Sequence, residues 1–279
     1  MAFLKDISDV TKLRVGRLFE LLFAWTPAHL AESLQRIGIG TGDSVMVHCS
    51  FAAMKGFTGN ASDVIAVLQG LVSDSGAILM PNQPFDGLAI AHAKLGRIFD
   101  VRRTPSQMGL LSEIFRRTPG VLRSVHPTHP VAVWGHGAAD LIADHHKVAT
   151  PCGAGSPYAR LAARNGKILF LGTTFGVVTY FHTIEEELEP MMAKSPFTSE
   201  VFTLLSKNER GEIVTTVTRL FDPEMSKRRN LLRLEKGLEK QGTLARTRIA
   251  LTPITIVNAN DIANYCHRQA REGYFFYDD

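Results

Sequence analysis

Four short runs are apolar almost throughout: SVMVHC (44–49), GAILMP (76–81), VAVWG (131–135) and KILFLG (167–172). Runs of this length, with glycine, proline or a polar turn at their ends, read as strands. The segments between them have a different period. Thr26-Pro27 reads as an N-cap followed by proline at the first helical position, and Leu30, Leu34 and Ile37 then recur at helical spacing up to Gly38. NASDVIAVLQGLV (60–72) puts Val64, Val67, Leu68 and Leu71 on one face of a helix. PSQMGLLSEIFRR (105–117), Tyr158 to Arg164 and TYFHTIEEELE (179–189) read as further helices. Strands that alternate with helices predict an α/β fold.

After residue 195 the pattern changes. EVFTLLSKNERGEIVTTVTRLF (200–221) reads as a β-hairpin around a polar turn. Asp222-Pro223 opens a basic helix with Lys227, Arg228, Arg229, Arg233, Lys236 and Lys240, a charge run read as a solvated face. DIANYCHRQARE (261–272) is the last expected helix. No repeat or long linker interrupts the chain, so residues 1–279 are expected to form a single domain. Its parts are a cofactor and catalytic core at 1–195 and a hairpin and helical extension at 196–279.

Composition narrows the partners. The chain of 279 residues is 45% hydrophobic and 21% charged, with a formal net charge of +4. That mild basicity suits an anionic small ligand, whereas nucleic acid would call for a denser basic stripe with aromatic residues between the charges. The three cysteines, Cys49, Cys152 and Cys266, form no CxxC, which argues against a disulfide framework or a cysteine zinc site and points to a reducing cytoplasm. The opening residues lack a signal-peptide apolar stretch, and LFELLFAW (18–25) is interrupted by Glu20 and too short to span a bilayer.

Three stretches carry candidate chemistry. In VHCSFAAMKGFTGNASDVIAVL (47–68), a strand ends at His48-Cys49-Ser50 and a loop with Gly56 and Gly59 leads to a helix start. Free N–H groups at such a start bind anions, and ligands of open α/β sheets sit beyond the carboxyl ends of the strands. In RSVHPTHP (123–130), Arg123 is a candidate phosphate partner, while His126 and His129 lack zinc-like spacing to the other histidines; they read as turn residues or cleft wall and not as metal ligands. In GTTFGVVTYFHTIEEELE (172–189), His182 and Glu185 share a helix face. A histidine beside a carboxylate can act as a general base, and an acidic surface helix would show the same spacing.

Together, GDSVMVHCSFAAMKGF (42–57), GAILMP, FDVRRTPSQMGLLSEIFRRTPGVLRSVHPTHPVAV (99–133), GSPYARLAARNGKILFLG (155–172) and TYFHTIEE (179–186) resemble the aminoglycoside 3-N-acetyltransferase family, in its order and spacing. The resemblance covers about 37–187. It implies a mixed central sheet flanked by helices, acetyl-CoA as co-substrate, no metal and a small-molecule amine as acceptor. It implies catalytic roles for His182 and Glu185, with His126 at the active-site wall. Ser50, Phe51, Gly56, Met108, Gly109, Arg123, Ser124, His126 and Thr173 would line the acetyl-CoA side. Asp86, Glu185 and Glu186 would supply acidity for the amine. Pro130, Cys152 and MPNQPFDG (80–87) depart from the family pattern and widen the acceptor to an aminoglycoside, an amino sugar or a related natural product. A cytoplasmic enzyme with no nucleic-acid or membrane partner, and a possible homodimer through the hairpin, complete the expectation.

Overall fold

The structure is a computed structural model that describes residues 23–278; most of the LFELLFAW patch lies outside them. The chain runs α1 (Pro27–Arg36), β1 (Ser44–Cys49), α2 (Ala61–Val72), β2 (Ala77–Pro81), α3 (Ala89–Ala93), β3 (Phe99–Asp100), α4 (Leu110–Phe115), β4 (Leu122–Arg123), β5 (Val131–Gly135), α5 (Ala138–Ile142), α6 (Pro157–Ala163), β6 (Lys167–Leu171) and α7 (Phe181–Leu188). It continues through β7 (Phe197–Lys207), β8 (Ile213–Phe221), α8 (Pro223–Arg228), α9 (Leu231–Lys240), β9 (Ala245–Ile249), β10 (Thr252–Asn258) and α10 (Ala259–Arg271).

The central sheet has seven strands in the order β4-β5-β2-β1-β6-β10-β9. Its middle is parallel: β1 pairs with β2 on one side and with β6 on the other. The two flanks are antiparallel, through β5 on β2 and β10 on β6. Both faces are covered, which explains why the central strands are apolar at successive positions and do not alternate. Val45, Val47, Ile78 and Met80 pack under Leu30, Leu34, Leu68 and Phe115. The alternate residues Met46, Leu79, Ile168 and Phe170 pack under Tyr158, Phe181, Leu234, Ile262 and Cys266. Each helical layer thus takes one parity of the same strands.

The expected strands 44–49 and 131–135 are present with those bounds, and KILFLG forms a strand over Lys167–Leu171. Two helices differ from their sequence reading. The segment read as a helix over 105–117 is helical only over Leu110–Phe115, because Gly109 at its N-cap has φ +95°, outside the helical region. The basic segment after Asp222 is not one helix but two. The Asp222 carboxylate caps the first, accepting from Met225 N at 2.9 Å, and Asn230 caps the second, accepting from Arg233 N at 3.1 Å. Arg229 lies in the break. The extension also returns two strands to the central sheet, β10 beside β6 and β9 at the edge. The hairpin of β7 and β8 forms a separate three-stranded sheet with β3. No helix among the described residues is long and apolar enough to cross a membrane.

Candidate active site

Residues 172–180, with a 3-10 turn at Phe175–Val177, lead from the carboxyl end of β6, where α/β sheets place ligands, into α7. His182 and Glu185 lie one turn apart on it. Glu185 Oε2 accepts from His182 Nδ1 at 2.5 Å. The other carboxylate oxygen accepts from Arg229 Nε at 2.6 Å and from the Tyr277 hydroxyl. Glu185 is 1% exposed, and a buried carboxylate survives as an anion only with such partners. Burial alone would raise its pKa; the Arg229 charge and His182 outweigh burial and hold it at about 2. An ionised carboxylate accepts, so the His182 ring carries its proton on Nδ1 and keeps the Nε2 lone pair. Burial and then Arg229 lower the His182 pKa, against the pull of Glu185, which keeps the ring neutral at physiological pH.

His182 Nε2 has no hydrogen-bond partner among the described residues. The ring rests on Phe221, 4.3 Å between centroids, and borders an opening of about 540 Å³ whose walls include Val177, Thr179, Ser226, Arg229 and Asn230. A smaller cavity of about 140 Å³ lies at the carboxyl ends of β1 and β2, lined by His48, Cys49, Met80, Met108, Ser112 and Thr173. Val177 and Thr179 line both spaces. In the smaller cavity His48 Nε2 is buried without a partner. Burial lowers the His48 pKa to about 3 and raises the Cys49 thiol to about 12, so neither group is charged at neutral pH.

The sequence-expected residues divide among these places. Met108 and Thr173 line the smaller cavity, and Gly109 is the cap that follows Met108. Ser50, Phe51 and Gly56 stand in the loop after β1, beside that lining and not in it. Gly56 has φ +80°, and the Phe23 carbonyl leaves no room there for a Cβ. Arg123 is buried, and its guanidinium donates to the Thr104 and Asn82 carbonyls at 2.6 and 2.8 Å while lying over Phe99. Ser124 accepts from Val131 N and bonds His145 Nδ1, both at 2.8 Å. His126 is fully buried, with Nδ1 accepting from His129 N at 3.1 Å and Thr128 N at 3.3 Å. Glu186 takes the Thr150 hydroxyl and packs on Gly153, where a Cβ would displace its carboxylate. Asp86 lies on an exposed turn between β2 and α3.

Arg229 and Tyr277 belong to the site, and sequence reasoning does not find either. Arg229 reads in the sequence as part of a solvated face. Its available signal is Asn230, a capping residue ahead of an apolar pair, which breaks the basic run at that point. Nothing local marks Tyr277, which meets Glu185 from 92 positions away.

The family model described as aminoglycoside 3-N-acetyltransferase matches residues 46–270. Aminoglycoside N(3)-acetyltransferase VII of Streptomyces paromomycinus is 31% identical over an alignment of 175 residues, with 57% of this chain and 60% of that protein covered. The SPbeta prophage-derived aminoglycoside N(3')-acetyltransferase-like protein YokD of Bacillus subtilis is 29% identical over an alignment of 180 residues, with 58% of this chain and 65% of that one covered. The chain thus matches somewhat under two thirds of the length of these curated relatives. Among solved structures, AAC-IIIb in a binary complex with CoASH has a TM-score of 0.75 at 22% identity, covering 91% of this chain and 99% of that one. A structure of aminoglycoside acetyltransferase AAC(3)-IVa in complex with a gentamicin has a TM-score of 0.76 at 21% identity, covering 92% and 93%. At such identities the structural likeness speaks for the fold. With the family model spanning most of its length, the chain belongs to the aminoglycoside 3-N-acetyltransferase family.

Proposed function

We propose that this chain transfers an acetyl group from acetyl-CoA to an amine of an aminoglycoside, amino sugar or related natural product, with His182 as general base. The observation that carries the reading is the 2.5 Å bond from His182 Nδ1 to a buried carboxylate, which leaves Nε2 as the basic nitrogen beside an opening. The family membership and the CoASH and gentamicin complexes of its structural neighbours support it.

Acyl transfer requires a neutral amine, and an alkyl amine is mostly protonated at neutral pH. In this reading the attacking nitrogen forms its bond to the thioester carbonyl carbon as the C–S bond breaks. The ammonium proton is first lost to solvent; on attack His182 Nε2 takes the second proton from the nitrogen and delivers it to the departing sulfur, so the ring ends neutral. Glu185 fixes the tautomer and stabilises the transient imidazolium, which a neutral neighbour could not do. The smaller cavity suits the thioester end of acetyl-CoA: Met80, Met108 and Val177 are apolar, and the orphaned His48 Nε2 and the Thr173 hydroxyl are available to polar atoms. Met108, Gly109 and Thr173 are the sequence-expected cofactor residues that fit there.

Of the three acids expected to receive a cationic acceptor, Glu185 is spent on three partners and Glu186 on Thr150, while Asp86 is exposed on a turn outside the lining of the opening. The panel of acceptors should therefore span aminoglycosides, simple amino sugars and nucleotide-linked amino sugars. Calorimetric titration with acetyl-CoA comes first, followed by thiol release with that panel. Micromolar binding and thiol release that is lost in His182→Ala support the reading. Binding without turnover on any amine would leave a coenzyme-binding scaffold instead, and absence of binding at millimolar acetyl-CoA would mean that the cofactor site is lost here or forms only after the acceptor binds.

A further inference from the structure

We propose that Tyr277 is a positioning residue for the His182–Glu185 pair, held in place by a backbone clasp between residues 276–278 and 228–230. The proposal rests on the reading of His182 as the base.

The clasp is built from backbone. Asn230 N donates to the Phe276 carbonyl at 2.8 Å and Asp278 N donates to the Arg228 carbonyl at 2.7 Å, with Arg229 and Tyr277 paired antiparallel between them. Arg228 Nε adds a bond of 2.6 Å to the Asp278 carbonyl. Arg229 and Tyr277 are therefore opposite each other, and both donate to the same oxygen of Glu185. The oxygen left over is the one that holds His182. With one oxygen pinned by two donors from outside the helix, the carboxylate cannot rotate away from the imidazole.

A strained residue marks the same place. Phe276 has φ +61°, a region that bulky side chains rarely occupy. Its ring is buried, with Phe181, Tyr265 and Tyr274 packed around it. Phe181 is the neighbour of His182 in sequence. The packing thus holds a costly backbone conformation whose result is to turn Tyr277 toward Glu185, and strain of this kind collects at functional sites.

Among the described residues, the groups facing the pair are few. Glu185 stands on the same helix as His182, Arg229 in the break between α8 and α9, and Tyr277 in the clasp. His129 lies 6.4 Å from the His182 ring. The thiols of Cys152 and Cys266, both raised by burial, face Glu185 as neutral groups. Removing the phenol hydroxyl leaves more negative charge on the carboxylate to be shared with His182, which favours the imidazolium. The acid limb of the rate profile should then move to higher pH.

The test compares the parent chain with Tyr277→Phe, Arg229→Lys, Arg229→Met and His182→Ala, by thiol release from acetyl-CoA across pH, with thermal unfolding alongside. Expected for Tyr277→Phe is a fall in kcat of about tenfold, the usual worth of a hydrogen bond to a charged group, with KM for acetyl-CoA little changed and the acid limb shifted up. Arg229→Lys, which keeps the charge, should retain more activity than Arg229→Met. If Tyr277→Phe keeps the parent kcat and pH profile, the proposal is overturned. It is equally overturned if activity falls only in step with unfolding temperature and the profile does not move. If His182→Ala remains active, the reading of the base fails instead, which separates the two failures.

Discussion

A group of three histidines and a fourth, His182, lie within one ring's reach of each other in opposite surroundings. His126, His129 and His145 form a sealed cluster: His126 and His145 are 4.7 Å apart between centroids, and His129 lies 6.4 Å from His126. Each Nδ1 is spent on Ser124, Thr128 or backbone N–H groups and His145 Nε2 on the Pro151 carbonyl, while His126 Nε2 is buried without a partner. Among the described residues no carboxylate pairs with them, so burial drives their pKa values far down and they stay neutral. His182 is also largely buried, but it has Glu185 on one nitrogen and an opening at the other. Burial alone makes a histidine a packing residue; the paired carboxylate and the opening set His182 apart and support its proposed role as a base. The contrast also bears on the paired histidines of HPTH: both belong to the sealed group.

The largest expected effect separates the groups directly. His182→Ala should lower kcat per folded molecule by about 100- to 10,000-fold, the usual contribution of a positioned general base, well beyond any change in the folded fraction. His145→Ala should do the reverse. It strips partners from the Ser124 hydroxyl and the Pro151 carbonyl inside a packed core, at a cost of about 2–4 kcal/mol, read by urea unfolding. Activity per folded molecule should be retained. If His145→Ala abolished turnover with its stability intact, the sealed cluster would have to be counted as part of the catalytic machinery.

Acidification reaches the same distinction without mutation. His48 and His145 have folded pKa values of about 3, against 6.5 for the free ring, and His126 and His129 are also held well down. Below pH 6.5 the unfolded chain takes up protons that the folded chain cannot, so stability is lost as pH falls from 6.5 toward 3. Four such groups give a slope approaching about 5 kcal/mol per pH unit. Glu185 works in a lower window: its folded value of about 2 lies under 4.5, so its contribution is present above 4.5 and lost from there toward 2. Urea midpoints measured between about pH 7 and 5 should fall steeply, and one buried histidine replaced by glutamine should flatten the slope by roughly a quarter.

Much of this architecture was legible because it is local. Thr26 as a cap, the apolar strands 44–49 and 167–171, and the His182–Glu185 spacing each follow from neighbours within a turn or a strand. β10 was legible in principle, since Thr252, Ile254 and Ile256 alternate along it, but Pro253 and the preceding charges obscured it. The partners of Glu185 were not legible. Arg229 and Tyr277 are 44 and 92 residues away, and only the tertiary fold brings them to one carboxylate oxygen. Arg123 shows the converse: a cation that sequence assigns to a phosphate is spent on backbone carbonyls, a use that leaves no trace in composition.

The smallest expected effect concerns Cys49, the nucleophile an acyl-enzyme route would need. It borders the small cavity, next to His48 in sequence, which gives it the look of an activated pair. Successive strand residues point to opposite faces, so the two side chains do not meet. Burial raises the thiol to about 12, and its Sγ lies 3.9 Å from the Met54 sulfur and not against a base. At neutral pH almost none of it is thiolate, the form that attacks. Cys49→Ser should therefore keep thiol release within a few-fold of the parent, and intact mass after acetyl-CoA should show no acetyl adduct. A stable adduct that disappears in Cys49→Ser would transfer the chemistry from the opening at His182 to the cavity beside β1, and the division between working and packing groups would have to be redrawn there.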